Sequence, residues 1–333
     1  MIPPLITLEE HLLSPTSPPS LTSLHSEQLA HIPHVLTKLT DLSSLRLADM
    51  DSGGVALQVI SHVPGLGSCD ASACRAANDH LAAAIRYREG KGRFAGFAVL
   101  PMREPAEAAR ELRRCVRELG FVGALVDNHV NGRFYDGEEY SVFWGAVEEL
   151  GVPVYLHPVW PSEDMMSRYE GSFGEAAAKS MSSSGWGWHS ETGLHVLRLY
   201  ASGLFDRRPG VKIVIGHMGE MIPFMLERIE TLSKRWGTFE RGFRTVYDEN
   251  IWITTSGVWS VHPMRCILAN TKLEHILYSV DYPFQSQEVG LEWMKELEES
   301  GLVDEEQLKA IAHGNAEKLL GVKLPDRHRR SQG

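Results

Sequence analysis

Eight short, β-rich apolar runs recur along this chain, at Leu5–His11, Val55–Ser61, Arg93–Leu100, Val122–Asn128, Val152–His157, Val211–Gly216, Ile251–Ser256 and Ile276–Asp281. Helix-like segments separate them, among them Glu104–Leu119, Tyr140–Leu150, Thr192–Phe205 and Met221–Trp236. Strands that alternate with helices pair in parallel, because each crossover helix carries the chain back to the same edge. No Gly-rich phosphate turn follows the first run, which speaks against a doubly wound sheet. The reading is a single (β/α)8 TIM barrel over residues 1–325, with a basic, solvated tail at 326–333. Two stretches break the alternation, Ser14–Ser44 and Pro161–His189. Both are expected as long loops over the barrel's C-terminal mouth.

The positions of a few polar residues then matter more than their number. Glu9 and His11 close the first run, His157 the fifth and Asp281 the eighth, and His217 follows the sixth. In a barrel all of these reach the same end, where residues distant in sequence meet. Residues i and i+2 on a strand share a side, so Glu9 and His11 face inward together while Glu10 faces away. Any one of these residues alone reads as an ordinary hydrogen-bonded side chain. Together they would leave uncompensated charge beside a core unless a cation were present. We therefore expect one divalent metal on Glu9, His11, His157 and Asp281. Mixed nitrogen and oxygen donors suit zinc first, then manganese or magnesium.

Bulk properties exclude other classes. The chain carries 33 Lys and Arg against 43 Asp and Glu, a net charge of −10, with no basic stripe for nucleic acid. No run approaches a membrane span, and the four cysteines form no framework. A cytoplasmic enzyme without nucleic-acid or membrane partners is the expectation.

The segments Leu8-Glu9-Glu10-His11, Tyr155-Leu156-His157-Pro158, Gly216-His217-Met218-Gly219-Glu220, Ile253-Thr254-Thr255-Ser256-Gly257 and Ser279-Val280-Asp281-Tyr282-Pro283-Phe284 resemble the decarboxylase branch of the amidohydrolase superfamily, the γ-resorcylate and 2,3-dihydroxybenzoate decarboxylases above all. The resemblance runs from the first strand to Gly314-Asn315-Ala316. It implies nonoxidative, reversible decarboxylation of an ortho-hydroxybenzoate, a small aromatic acid, in a homodimer or homotetramer. It also implies His217 as the catalytic histidine beside the metal, Glu220 as the group that orients it, and Arg228 as a further supporting residue of the substrate site. Asn128 matches a substrate-contacting position and Phe284 a ring-packing one, while Trp188 is expected in the pocket wall. His189, in the same loop, is the weaker pocket residue. Two departures from the pattern bear on pocket shape. Val159-Trp160 stands where relatives have Arg-Asn, and Gln285 where they have Glu.

Removing CO2 from an arene without an electron-sink cofactor means protonating the ring carbon that bears the carboxylate. An ortho hydroxyl makes that carbon electron-rich, and a cation that grips carboxylate and phenol oxygen fixes the ring. Asp281 is the expected proton donor, with His217 at the phenolic oxygen. The alternative is hydrolysis of a lactone or cyclic amide on the same barrel. Glu9-x-His11, in place of His-x-His, and the absence of an evident bridging Lys favour decarboxylation. A noncatalytic scaffold is a third and weaker reading.

Overall fold

A computed structural model of the chain describes residues 1–29, 32, 34–87 and 92–325. His31 and the basic tail 326–333 lie outside the described residues. The strands are β1 (Leu5–Leu12), β2 (Val55–His62), β3 (Phe94–Ala98), β4 (Gly123–Asp127), β5 (Pro153–His157), β6 (Lys212–Ile215), β7 (Ile251–Thr254) and β8 (Ile276–Leu277). They form one parallel sheet in chain order, as the alternating pattern requires. All eight residues of β1 and of β2 are buried, as expected for strands covered on both faces. Ile6, Leu8, Val59, Phe97, Leu125, Tyr155, Val214 and Leu277 pack with Leu319 and Leu320 of the last helix, Asn315–Leu320, which floors the barrel. A larger apolar layer, including Leu5, Leu12, Leu112, Phe143, Val196, Ile222 and Trp293, joins the strands to the surrounding helices.

β1 is not a regular strand. Thr7 pairs with Gln58 but Glu10 with Ile60, so one extra residue is accommodated at Leu8–Glu9. Below this bulge Ile6 and Leu8 join the barrel interior; above it Leu12 joins the outer layer. The bulge changes which parity faces inward, and that change aims Glu9 and His11 into the mouth.

The ends of the barrel meet through few backbone bonds. β8 has two residues, and the chain beyond it reaches β1 by a bridge between Glu10 and Tyr282 and by His11 N–H donating to Tyr282 O at 2.7 Å. Ser279 Oγ accepts from the backbone N–H groups of Leu8 and Glu9 at 3.0 and 2.8 Å. The buried Glu10 carboxylate accepts from Gln287 Nε2 at 2.7 Å, Gln58 Nε2 at 3.2 Å and Val280 N at 3.3 Å. Burial pushes that carboxyl up to about 8.

Several element boundaries differ from the sequence reading. The segment 14–44 is not all loop, since it holds helices Pro19–Gln28 and Val35–Thr40. The segment 161–189 holds Glu163–Met166 and Glu175–Ser182, and the helix expected from Thr192 starts at Gly187. The helix at Pro105–Arg114 widens into a π-helical turn, Cys115–Leu119. Among the described residues no helix is long and apolar enough to cross a membrane.

Candidate metal and catalytic site

Glu9, His11, His157 and Asp281 converge at the C-terminal ends of β1, β5 and β8, with one ligand atom of each lying within 4.8 Å of the others. His157 Nε2 is 3.0 Å from Glu9 Oε1, and His11 Nε2 is 3.1 Å from Asp281 Oδ1. Glu9 Oε1, His11 Nε2 and Asp281 Oδ1 are buried with no hydrogen-bond partner among the described residues. Buried polar atoms normally find a partner. Three orphans facing one point, two of them carboxylate oxygens, fit a cation in their midst. His157 Nδ1 donates to Pro158 O at 2.7 Å, which leaves Nε2 bare and aimed at the same point.

The other oxygen of Glu9 is fastened from behind. Glu9 Oε2 accepts from Tyr155 Oη and Ser256 Oγ, and Thr254 Oγ1 bonds to Tyr155 Oη at 2.8 Å. Tyr155 stands two residues before His157 and Thr254 two before Ser256, so strand parity places each pair on the inner side. Sequence reasoning passed over these three, although that parity pointed to them. Gly216 permits this packing: a Cβ there would lie 2.8 Å from Glu9 Oε2 and 3.0 Å from Tyr155 Oη. Gly216→Ala is therefore expected to displace Glu9 and weaken metal affinity by roughly 10–100-fold, the range for disturbing a ligand's support. Metal competition with a fluorescent chelator would show it, and unchanged affinity would mean that Glu9 tolerates the methyl.

His217 and Glu220 lie on a turn between β6 and the helix Ile222–Ser233, with left-handed backbone at His217 (φ 49°), Met218 (φ 59°), Glu220 (φ 49°) and Met221 (φ 68°). Consecutive non-glycine residues in that region are uncommon and mark a conformation imposed by its surroundings. The turn brings His217 Nδ1 to 2.8 Å from Glu220 Oε1 and points Nε2 toward the cluster, 3.8 Å from Glu9 Oε1. Burial opposes charge on His217, but Glu220 and Glu9 overcome it and push the imidazole up to about 10. Burial alone would raise Glu9; His217 and His157 instead hold it below the usual carboxylate range. Asp281 is pushed up to about 8 by burial and by the charge of Glu9, and burial brings His11 down to about 4.

Above the cluster opens a cavity of about 400 Å³, lined at its base by His157, His217, His189 and Asp281. Trp160, Trp188, Phe284, Leu29, Ile32 and Pro64 form much of its wall. Trp160 and Trp188 meet edge to face at 4.8 Å, and the Phe284 ring lies 5.4 Å from His11. Gln285 also lines it. No Lys or Arg lines the cavity among the described residues.

Two residues expected at the substrate are not among those lining this cavity. Asn128 is buried beside the barrel wall, its amide donating to Thr192 Oγ1 at 2.9 Å and its backbone N–H to His157 O at 2.7 Å. Arg228 is exposed on the helix Ile222–Ser233, outside the cavity of this chain. Conversely, Leu29, Ile32 and Pro64 line the mouth without having been marked. They belong to βα loops that carry no periodic signal.

The chain from 48 to 322 matches the family model described as amidohydrolase. It is 52% identical to decarboxylase orsB of Emericella nidulans over 97% of this chain and 99% of that protein. It is 34% identical to a γ-resorcylate decarboxylase of Polaromonas sp. JS666, over 86% of this chain and 90% of the relative. Among solved structures, a dihydroxybenzoic acid decarboxylase from Polaromonas sp. JS666 with bound manganese and the inhibitor 2-nitroresorcinol superposes with a TM-score of 0.84 at 32% identity, covering 96% of this chain and 97% of that one.

Proposed function

We propose, since this chain belongs to the amidohydrolase family, that it is a carboxy-lyase removing CO2 from an ortho-hydroxybenzoate in a nonoxidative, reversible, metal-dependent reaction. The observation that carries the reading is the ring of unpartnered Glu9, His11 and Asp281 atoms beside the His217–Glu220 pair, under a cavity with aromatic walls. Glu9, His11, His157 and Asp281 would hold the metal. When bound, the metal would supply positive charge that offsets the negative charge of the substrate's oxygens. The donor set admits zinc, manganese or magnesium, and the manganese bound in the Polaromonas sp. JS666 structure supports manganese.

The protein's own groups then divide the work. Phe284 and Trp188 pack on the ring and exclude water. His217 holds the phenolic proton through Nε2, while Glu220 keeps its Nδ1 fixed. Asp281 delivers a proton to the ring carbon that bears the carboxylate. The bond from that carbon to the carboxylate breaks, its electron pair restores the aromatic ring, and CO2 leaves. Asp281 regains a proton from solvent before the next cycle. Hydrolysis needs an activated water in the same space, and the apolar wall does nothing to position one.

Catalysis is assigned to one barrel over residues 1–325, within a homodimer or homotetramer. Leu194, Phe224 and Met225 are large apolar side chains exposed on the helices Gly187–Ala201 and Ile222–Ser233, which supports assembly of copies. Incubation of metal-analysed protein with salicylate, 2,3-dihydroxybenzoate, 2,6-dihydroxybenzoate and para-hydroxybenzoate tests the reading. CO2 release is expected from ortho acids alone, and a chelator should cut it by at least about 100-fold, with manganese restoring it. A metal-loaded protein that releases CO2 from none of them, or one indifferent to chelator, refutes the proposal.

A further inference from the structure

Glu220 holds not one imidazole but two. Its Oε1 is 2.8 Å from His217 Nδ1, and its Oε2 is 2.8 Å from His189 Nδ1. The carboxylate is buried, at 1% exposure. Burial works against its charge, and His217 and His189 together still hold it below the usual carboxylate range. His189 comes from the first turn of the helix Gly187–Ala201, at the end of the long insert over the mouth. Its second nitrogen, Nε2, lies 3.1 Å from Ser184 O. The two imidazoles meet edge to face with centroids 4.6 Å apart.

We infer that His189 is a positioning residue for the decarboxylation proposed above: by occupying Glu220 Oε2 it fixes the carboxylate so that Oε1 holds the His217 ring at Nδ1 with Nε2 turned toward the metal cluster. This inference rests on the assignment of His217 and Glu220 to that reaction. The physical reason is the buried charge. A carboxylate oxygen that loses its partner in the interior is strongly disfavoured, and the group relieves that cost by turning toward another donor or taking up a proton. Either response removes the acceptor that holds the proton on His217 Nδ1. Nε2, the nitrogen aimed at the metal cluster, would then no longer be reserved for the substrate. His189 itself spends both nitrogens on protein, so it acts through Glu220 and not on the substrate.

The test compares His189→Leu with His189→Asn in manganese-loaded protein, because the Asn amide reaches the place of the ring Nδ1 and can still donate to Glu220 Oε2. His189→Leu is expected to lower kcat by roughly 10–100-fold with KM and metal content near those of the parent, and to shift the pH profile of kcat; His189→Asn should recover most of the loss. The 1H–15N signal of His217 Nδ1–H, displaced downfield by its bond to Glu220, provides a readout independent of turnover. It should be present in the parent and in His189→Asn, and lost or displaced in His189→Leu. An unchanged Nδ1–H signal in His189→Leu, or Asn and Leu variants equally impaired, overturns the inference. If His189→Leu does not fold, a lost Nδ1–H signal in His189→Asn overturns it and a retained one upholds it. A parent protein inactive on every hydroxybenzoate defeats the functional reading instead, and the Nδ1–H comparison still decides the role of His189.

Discussion

Asp281→Asn should leave a folded barrel with at most about one ten-thousandth of the parent kcat, the upper range for loss of a positioned acid. On the proposed mechanism Asp281 would carry two duties that the amide cannot combine. Its Oδ1 sits 3.1 Å from His11 Nε2 as part of the metal-binding set, and its carboxyl is pushed up to about 8 by burial and by the neighbouring Glu9 charge. An Asn in its place offers an oxygen of the same reach but has no acid proton to give to the ring carbon. Its backbone is left-handed, with φ 78°, a region that Asn tolerates well, so the main chain need not move. The variant therefore separates chemistry from folding. Rapid-quench measurement of CO2 in a single turnover, beside metal analysis, checks the result. Turnover within tenfold of the parent would remove Asp281 from proton delivery.

His217→Asn is the second large effect, a loss of about 10²–10⁴-fold in kcat with metal content retained. His217 Nε2 lies 3.8 Å from Glu9 Oε1, farther than the 3.0 Å contact of His157 with Glu9 and the 3.1 Å contact of His11 with Asp281. Its tight contact is with Glu220 at 2.8 Å. Deleting it should therefore empty a catalytic position without opening the metal site. Because the imidazole balances the buried Glu220 charge, the variant should also make that carboxyl easier to protonate. Co-purified manganese counted against protein, together with steady-state rates, decides the matter. Metal lost in proportion to activity would reassign His217 as a ligand.

Much of this architecture was legible because burial on both faces writes a strand as an apolar run, and eight such runs leave little choice of topology. The four expected ligand residues come together because they stand at or near the C-terminal ends of their strands, which meet at the mouth of the barrel. The extra residue at Leu8–Glu9 was not legible: a bulge changes parity without changing composition. The shortness of β8 was hidden for a related reason, since Ser279 and Val280 read as strand but are held to β1 through side-chain partners. Leu29, Ile32 and His189 lie in inserts whose local sequence answers to the cavity and not to a repeating period. Asn128 and Arg228 show the converse limit. Both were placed at the substrate by family pattern alone; in this chain the Asn128 amide donates to Thr192 and leaves its oxygen unpartnered among the described residues, and Arg228 lies exposed.

The joint between β1 and the chain beyond β8 also bears on how the protein is made. Glu9 and His11 leave the ribosome early, whereas Asp281 and the Ser279 and Gln287 that secure their strand leave more than 260 residues later. Until then the N-terminal strand has a buried-type carboxylate pair, Glu9 and Glu10, and half of its partners are not yet synthesised. A chain that ends before Asp281 thus lacks one of the four residues proposed to hold the cation. On that ligand set, a completed ion site reports a barrel joined end to end.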